Sequence, residues 1–282
     1  MKKDHFVITK EHHVADEWSL VWDQLSLEQT LRDIPNDALT GIFAQYMRAD
    51  GPTLEAGCGM GRWVAHLNGK GLTTWGADNS LIGLKKGVAY KSSLPFVASD
   101  VRYLPFSNGF FTNYISIGVI EHFIEGPEAV IEEASRVLAP GGVAFVSVPC
   151  QNAVRTAKMK LASLFRPRRK QAAQTSAGTH DDQSASDHFF EYYFTPQELQ
   201  SLLRKASLRV VASIPMHPVY GLAVDFPFFI ARGSSLLYRT RITWIGRRVA
   251  GLLYRFSPWA SAHMVMCVAV KEGSAPQDAR GD

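Results

Sequence analysis

Cysteine is scarce in this chain of 282 residues, which contains only Cys58, Cys150 and Cys267. The three lie far apart and form no CxxC pair, so neither a disulfide framework nor a zinc site is expected. A reducing, cytoplasmic compartment is therefore the expected location. His12 and His13 stand in a polar segment without neighbouring ligand residues, and we expect no metal.

Long hydrophobic runs are also missing. The most apolar late stretch, residues 221–231, is interrupted by Asp225 and Pro227, whereas a membrane-spanning helix needs about 20 apolar residues. No apolar segment follows the two lysines at the N-terminus, so no secretory signal is expected. Apolar residues nevertheless make up 46% of the chain and charged residues 20%, which predicts a folded protein with a sizeable core.

Short apolar runs alternate with helical patterns through much of the chain. The runs that predict strands are residues 53–56, 72–77, 95–99, 111–117 and 143–149. Helices are predicted between several of them, as at 80–91 and 127–138. Such alternation predicts a parallel sheet with helices on both faces. Two further strands are predicted at 208–214 and 263–270.

The chain is expected to consist of three parts. Residues 1–50 form an N-terminal helical segment, residues 51–271 the main domain, and residues 272–282 a polar, flexible tail. The strand–helix alternation is interrupted twice, at about 151–194 and 215–258. We predict that these two insertions form a helical cap.

The stretch TLEAGCGMGRW, residues 53–63, joins an apolar strand to an acid and three alternating glycines. No Lys-Ser or Lys-Thr pair follows, so a P-loop is not expected. The dinucleotide fingerprint GxGxxG is incomplete, because Arg62 stands at its third glycine position. Glu55 precedes the loop, where a carboxylate disfavours a pyrophosphate and favours a ligand with a sulfonium and an ammonium.

EAGCGMGR resembles the first motif of the class I S-adenosylmethionine-dependent methyltransferases. Further motifs follow in the same order: GADNS, SDVRYLPF, FTNYISIGVIEHF, EASRVLAPGGVAFVSVP and YYFTPQELQSLLRKASLRVV. The resemblance covers about residues 50–150 and 190–214, and it is nearest to the small-molecule, type 11-like branch. It implies a doubly wound, mostly parallel seven-stranded α/β sheet whose last strand, at about 263–270, is antiparallel.

The same resemblance implies S-adenosylmethionine as cofactor and a set of residues that bind it: Glu55, Gly57, Cys58, Gly59, Gly61, Asp78, Asn79, Asp100, Val101 and Ile117. In it, Asp78 holds the ribose hydroxyls, and Asp100 and Val101 lie at the adenine edge. Structural alternatives exist for all three acids. Glu55 pairs with Arg62 or caps a helix, Asp78 caps the helix that follows it, and Asp100 is a surface turn residue.

Methyl transfer from a sulfonium is an in-line displacement, so alignment of the reactants supplies much of the rate. A hydroxyl acceptor also needs a base, and His122, just past the fourth predicted strand, is the candidate. Its alternative role is packing. DHFFEYYF predicts an apolar pocket with a few polar groups, and its candidate acceptor-binding residues are His188, Glu191, Tyr192 and Tyr193. Their alternative is an aromatic core with solvated polar groups.

Basic residues alternate with bulky apolar ones in segments 155–170 and 232–255. This pattern is typical of helices that lie on anionic lipid, with a solvated basic helix as the alternative. A nucleic-acid partner is not expected, because no nucleic-acid-binding module is recognisable and the formal net charge is only +4. We therefore expect a cytoplasmic protein, peripheral at the inner membrane surface.

The predicted function is methyl transfer to a small or lipid-like acceptor at oxygen. Two alternatives stay open: a non-catalytic, cofactor-binding partner protein of the same fold, and an RNA or protein methyltransferase. Residues 117–120 read IGVI, where amino-nitrogen methylases resemble one another in an N/DPPY-type tetrapeptide. Turnover on an acceptor separates these functions.

Overall fold

The computed structural model describes residues 6–8, 22, 25–164, 189–231 and 241–273. The chain divides into two compact units. The sheet unit comprises residues 12–148, 196–214 and 266–282, and the helical unit comprises residues 1–11, 149–195 and 215–265.

Strands and helices are numbered along the chain. The strands are β1 (Phe6–Ile8), β2 (Thr53–Ala56), β3 (Thr74–Asp78), β4 (Phe96–Ala98), β5 (Phe111–Ile117), β6 (Leu138–Pro149), β7 (Phe189–Tyr192), β8 (Leu208–Met216) and β9 (Met264–Lys271). The helices are α1 (Leu27–Arg32), α2 (Ala38–Tyr46), α3 (Arg62–Gly69), α4 (Leu81–Tyr90), α5 (Glu128–Val137), α6 (Ala153–Leu164), α7 (Pro196–Lys205), α8 (Pro218–Asp225) and α9 (Trp244–Phe256). Short 3-10 turns lie at Ile34–Asn36, Ile120–His122 and Pro227–Phe229.

Seven strands form one sheet in the order β4-β3-β2-β5-β6-β9-β8. Strand β2 pairs in parallel with both β3 and β5, β3 with β4, and β5 with β6. The chain moves outward from β2 to β4 and then returns to the other side of β2, so the strand order reverses between β2 and β5. The prediction of a doubly wound, mostly parallel seven-stranded α/β sheet is confirmed. The antiparallel direction of the last strand stays a prediction.

The middle of the sheet is apolar, as buried parallel strands require. All of β2 is buried, and the side chains of Leu54 and Ile115 have no exposed surface. Phe43 of α2 packs edge to face against Trp63 of α3 and Phe145 of β6, with ring centroids 4.8 and 5.0 Å apart. These contacts hold the first helices of the sheet unit against the strands that end in the glycine loop.

Strand β6 begins earlier than predicted. The sequence predicted its start at residue 143, but the strand starts at Leu138. Phe111 pairs with Leu138 and Asn113 with Val143, so the four residues 139–142 of β6 stand opposite the single residue Thr112 of β5 and form a bulge. Gly141 and Gly142 therefore belong to an irregular part of the strand.

The predicted N-terminal helical segment contains α1 and α2, and side chains cap both helices. Ser26 accepts a hydrogen bond from the Gln29 amide and Asp37 accepts one from the Leu39 amide. The same segment also contains β1, which was not predicted and which pairs antiparallel with β7. A strand of three residues that pairs with so distant a partner has no local signal in the sequence.

In the helical unit, α6 is joined to the end of α8 by a buried ion pair. The Arg155 Nε atom lies 2.8 Å from the Asp225 Oδ1 atom, and both side chains are about 95% buried, with exposed fractions of 5% and 6%. Among the residues that the structure describes, no helix is long and apolar enough to cross a membrane.

Candidate functional site

A cavity of about 550 Å³ lies where β2, β3, β4 and β5 end, beside the point at which the strand order reverses. Open α/β sheets bind ligands in such crevices, and this volume is typical of small-molecule sites. The residues that line it are Trp22, Gly57, Asp78, Asn79, Ser80, Leu81, Ile82, Ser99, Asp100, Val101, Ile117, Gly118, Val119, His122 and Phe123.

Many of the residues predicted to bind cofactor share this cavity: Gly57, Asp78, Asn79, Asp100, Val101 and Ile117, together with the candidate base His122. Four other predicted residues, Glu55, Cys58, Gly59 and Gly61, are not part of its wall. Contact of any of them with a cofactor stays a prediction.

Asp78 links the glycine loop after β2 to the residues that precede α4. Its Oδ2 atom accepts a hydrogen bond from the Gly59 amide at 2.7 Å, and its Oδ1 atom accepts one from the Ser80 amide at 2.7 Å. Burial raises the pKa of the carboxyl, and the amide hydrogen bonds oppose that shift. The helix that follows is capped by Ser80, whose side chain accepts from the Gly83 amide, so the predicted capping by Asp78 is wrong. The Asp78 side chain lies on the cavity wall.

The loop after β2 needs glycine at positions where the backbone enters the left-handed region. Gly57 has φ +77°, and a Cβ atom there would stand 2.3 Å from a methyl group of Val119. Gly59 has φ +53°, and a Cβ atom there would stand 2.5 Å from the ring of Trp22. No other residue fits both the conformation and the space, so these glycines shape the cavity wall.

Helix α4 lies directly against this loop through two glycines four residues apart. A Cβ atom on Gly83 would stand 2.8 Å from the backbone carbon of Gly59, and one on Gly87 would stand 2.7 Å from the carbonyl oxygen of Met60. Sequence reasoning missed both positions. The signal was present, because glycines four residues apart in LIGLKKGVAY lie on one face of the helix.

Glu55 caps a helix in the structure. Its side chain is 6% exposed, and its Oε2 atom accepts a hydrogen bond from the Val64 amide at 3.0 Å. Burial raises the pKa of this carboxyl to about 8, against the opposing effects of the Val64 amide and Arg62. The group is thus mostly neutral at pH 7, whereas the sequence predicted an ionised carboxylate at this position. The alternative pairing is not formed, because Arg62 pairs with Asp37.

Asp100 differs from Glu55 in its charge. Arg102 contacts both carboxylate oxygens, with Nε 3.1 Å from each and Nη2 2.7 Å from Oδ2. These hydrogen bonds lower the pKa of Asp100, so this acid stays ionised at neutral pH.

Cys58 is buried, and burial raises the pKa of its thiol well above the usual value. Cys58 is thus a passive, protonated side chain.

His122 lies in the short turn after β5, on the cavity wall. Its side chain is 11% exposed, and its Nε2 atom lies 4.0 Å from Oε1 of Glu121, which is 2% exposed. That distance exceeds a hydrogen bond. A histidine beside a buried acid is nevertheless an arrangement that accepts a proton in many enzymes, because the acid stabilises the imidazolium.

Of the candidate acceptor-binding residues, Glu191, Tyr192 and Tyr193 lie in the helical unit, and His188 lies outside the described residues. Tyr193 hydrogen-bonds Glu191, whose pKa is raised by burial, and burial raises the pKa of Tyr193 to about 12. Tyr192 is buried and packs edge to face against Phe194, as the aromatic-core alternative predicts.

Arg155 joins Tyr193 to a buried polar cluster that the sequence did not predict. Its guanidinium lies 4.2 Å from the centre of the Tyr193 ring, and its Nη1 atom donates to the Cys150 carbonyl at 2.7 Å. In the same unit, burial and Arg155 lower the pKa of His263 to about 3, so this histidine is neutral. Arg155 opens the basic segment 155–170, but it does not belong to an exposed basic face.

Several residues on the cavity wall were also missed. Trp22 stands over the loop, and Lys86 of α4 holds it there by donating to the Trp22 carbonyl at 2.6 Å. Leu81, Ile82 and Phe123 supply apolar surface. Nothing in the local pattern distinguishes these side chains from ordinary core residues.

Comparison with known proteins gives one family match and related structures. A sequence model described as a methyltransferase domain matches residues 27–213. A demethylmenaquinone methyltransferase from Paenarthrobacter aurescens (strain TC1) is 32% identical over 144 residues, which is 50% of this chain and 54% of that protein. The chain thus spans about half the length of the curated relative that it matches.

Two solved structures share the fold. One is a methyltransferase in complex with the Haloferax volcanii Trm112 methyltransferase activator, with a TM-score of 0.59, 16% identity, and coverage of 93% of this chain and 97% of that one. The other is a SAM-dependent methyltransferase from Methanosarcina mazei, with a TM-score of 0.54, 16% identity, and coverage of 83% and 98%.

Proposed function

Because this chain belongs to the class I S-adenosylmethionine-dependent methyltransferases, we propose that it moves the methyl group of that cofactor to a small or lipid-like acceptor. The observation that carries the proposal is the cavity beside the reversal point of the sheet, which is lined by six of the ten predicted cofactor residues. A relative that acts in demethylmenaquinone methylation supports a small-molecule acceptor.

The cavity fits a nucleoside in its chemistry. Two acids, Asp78 and Asp100, offer acceptors for hydroxyl and amino groups, and apolar side chains such as Leu81 and Val101 offer surface for a flat base. Bound there, S-adenosylmethionine supplies an electrophilic methyl group on a sulfonium. The residues of this chain bind and orient it, and Asp78 is proposed to hold the ribose hydroxyls.

Replacement of Asp78 tests this placement. Asp78→Ala should weaken cofactor binding by about tenfold or more, because hydrogen bonds from the ligand to the carboxyl group are lost and the Gly59 and Ser80 amides lose their partner. Isothermal titration calorimetry with S-adenosylmethionine measures the change. Asp50→Ala removes an exposed acid outside the cavity and is the control. Full affinity in Asp78→Ala would contradict the placement.

We propose oxygen as the methylated atom, with His122 as the base that takes the acceptor proton. The support is its position on the cavity wall beside buried Glu121. General-base catalysis is worth about 10²–10⁴-fold, so His122→Gln should lower kcat by roughly that factor while cofactor affinity is retained. NMR of the product locates the new methyl group, and a methyl on carbon or nitrogen would contradict this part of the proposal.

For the acceptor we propose contact with Glu191 and Tyr193 in the helical unit, and His188 stays a prediction beside them. Their support is a polar group held among aromatic side chains, with Arg155 stacked on Tyr193. Tyr193→Phe should raise KM about two- to tenfold through loss of one hydrogen bond, with kcat little changed. Tyr254→Phe is the matched control, since Tyr254 belongs to the same unit and is 51% exposed. Contact of Tyr192 with the acceptor stays a prediction. Equal effects of the two changes would count against the proposed contact.

We further propose that the protein is cytoplasmic and touches anionic membranes through segments 155–170 and 232–255. The support is α9, whose exposed residues include Trp244 and Phe256, 73% and 82% exposed, together with Arg247 and Arg248. Flotation with vesicles that contain or lack acidic phospholipid tests it. Binding should need the acidic lipid and weaken at high salt. No association with either kind of vesicle would contradict the proposed membrane contact.

A screen of acceptor classes with labelled cofactor separates this function from its alternatives. Transfer to a quinone precursor, phenol or lipid-linked substrate would support the proposal. Cofactor binding without turnover on any class would favour a non-catalytic partner protein, and label in RNA or protein would favour a macromolecular substrate.

A further inference from the structure

The helical unit carries a second concave surface, which we name the apolar groove. It has a volume of about 710 Å³ and lies between α6, the end of α8 with the turn after it, and α9. Its lining residues are Val154, Ala157, Lys158, Leu161, Leu222, Phe226, Phe228, Phe229, Val249 and Leu253. Lys158 is the one member of this set with a polar side chain.

The groove walls follow the helical repeat. The α6 wall consists of residues 154, 157, 158 and 161, which recur at three- and four-residue steps, and the α9 wall consists of Val249 and Leu253, four residues apart. Phe228 is 72% exposed and Leu161 is 57% exposed. A contiguous apolar surface of this kind on a water-soluble fold marks a binding surface.

The helices that line the groove carry accessible charge of one sign. Helices α6 and α9 contain no acid, and α8 contains only Asp225. That acid is buried and pairs with Arg155. Lys158 donates to the Asp225 backbone carbonyl, and its ammonium lies 5.6 Å from the centre of the Phe226 ring. Apart from the buried Arg155, the cations of α6 and α9 are Lys158, Lys160, Arg247, Arg248 and Arg255. An occupant of the groove should therefore carry negative charge at one end.

The apolar lining also favours a hydrocarbon chain over a peptide or a second copy of this protein. An extended peptide would bring backbone N–H and C=O groups that find almost no partner there, at a cost for each unpaired group. A second copy of this chain would bring the same cations and be repelled. A hydrocarbon chain needs no hydrogen bonds, and each buried methylene group gains free energy.

We propose that the apolar groove binds the hydrocarbon chain of an anionic, lipid-like molecule, with its head group near Lys158. The proposal rests on the proposed function for the class of ligand, a lipid-like molecule, and assigns the hydrocarbon chain of that molecule to the groove. Binding is measured without methyl transfer, so the two proposals can fail separately.

Dodecyl phosphate is the probe, titrated below its micelle concentration and followed by calorimetry. The protein should bind it at least about tenfold more tightly than inorganic phosphate, which lacks the chain, or dodecyltrimethylammonium, which has the opposite charge. Absence of dodecyl phosphate binding, or equal binding of the cationic amphiphile, would overturn the proposal.

A pair of neighbouring leucines supplies matched variants. Leu253 lines the groove, whereas Leu252 is 58% exposed and is not part of the lining. Leu253→Trp should weaken dodecyl phosphate binding about tenfold or more, because the larger side chain occupies the space of about two methylene groups. Leu252→Trp should leave it unchanged. Both variants should keep the cofactor affinity and Tm of the parent, which confirms folding.

Other results would distinguish binding of a hydrocarbon chain from the alternative uses of the groove. Equal losses of dodecyl phosphate affinity in the two variants would contradict binding of the hydrocarbon chain in the groove. Vesicle flotation that persists in a protein unable to bind dodecyl phosphate would assign the surface to membrane contact alone. Concentration-dependent self-association that Leu253→Trp removes would assign it to a second copy. Dodecyl phosphate binding in a protein that transfers no methyl group would leave the groove assignment intact and reject the proposed function.

Discussion

At the residue scale, three acids near the glycine loop differ in charge although they look alike in sequence. Arg102 keeps Asp100 ionised, whereas burial raises the pKa of both Asp78 and Glu55. The cause is the balance between lost hydration and the partners of each carboxyl group. Cationic ligand chemistry at neutral pH therefore depends more on Asp100 than on Glu55.

Glu55 makes stability depend on pH. Its pKa is about 8 in the folded chain against 4.5 for the ordinary side chain, so between these values the folded state holds a proton that the unfolded state has lost. Its stabilising contribution is complete below pH 4.5 and is lost as pH rises toward 8. Each pH unit in this window costs about 1.4 kcal/mol of the free energy of unfolding.

Glu55→Gln should remove this slope, because the amide does not titrate and can still accept from Val64. Urea denaturation between pH 5.5 and 8 measures the difference: the parent should lose stability with rising pH relative to the variant. Parallel profiles for the two proteins would show that Glu55 is already ionised in the folded state.

At the element scale, the fit of α4 against the loop after β2 sets the shape of the cavity. Gly83 touches the backbone of Gly59, whose amide is held by Asp78, and Lys86 holds Trp22 against the same loop. One helix therefore positions both the loop and an aromatic wall of the same cavity.

Gly83→Ala should lower the free energy of unfolding by about 1–3 kcal/mol, since the added methyl group collides with backbone that cannot rotate away. Cofactor affinity should fall as well, because the loop shifts relative to Asp78. Gly41→Ala is the control: that position is helical and open, with no atom within 4 Å of a Cβ. It should gain about 0.4–1 kcal/mol. Stabilisation by both changes would contradict the close contact.

At the scale of the whole molecule, the helical unit is assembled from segments far apart in the chain. Arg155 and Asp225 are 70 residues apart and form a buried ion pair, and Asn152 donates to the Ala262 carbonyl across 110 residues. Boundaries between the two units fall within β6, β8 and β9. We therefore expect a single cooperative unfolding transition.

Asp225→Asn should cost about 3–5 kcal/mol, because it leaves the Arg155 guanidinium buried without its counter-charge. Chemical denaturation followed by fluorescence and by circular dichroism should show the same lowered midpoint with both probes. Asp50→Asn breaks an exposed pair with Arg48 and should change stability by less than about 1 kcal/mol. Two separate transitions would contradict the cooperative assembly.

Local pattern was sufficient for the positions of the seven sheet strands along the chain, the parallel sheet and the glycine loop, because strand and helix periods and left-handed glycines depend on residues a few positions apart. It was also sufficient for the family and its cofactor, since GADNS and SDVRYLPF follow EAGCGMGR at strand–helix spacings. The charge state of Glu55, the contact of Gly83 with Gly59, the place of Trp22 and the burial of Arg155 could not be read in this way. Each depends on side chains that only folding brings together, and the free energy of a charge or a close contact is set by those neighbours.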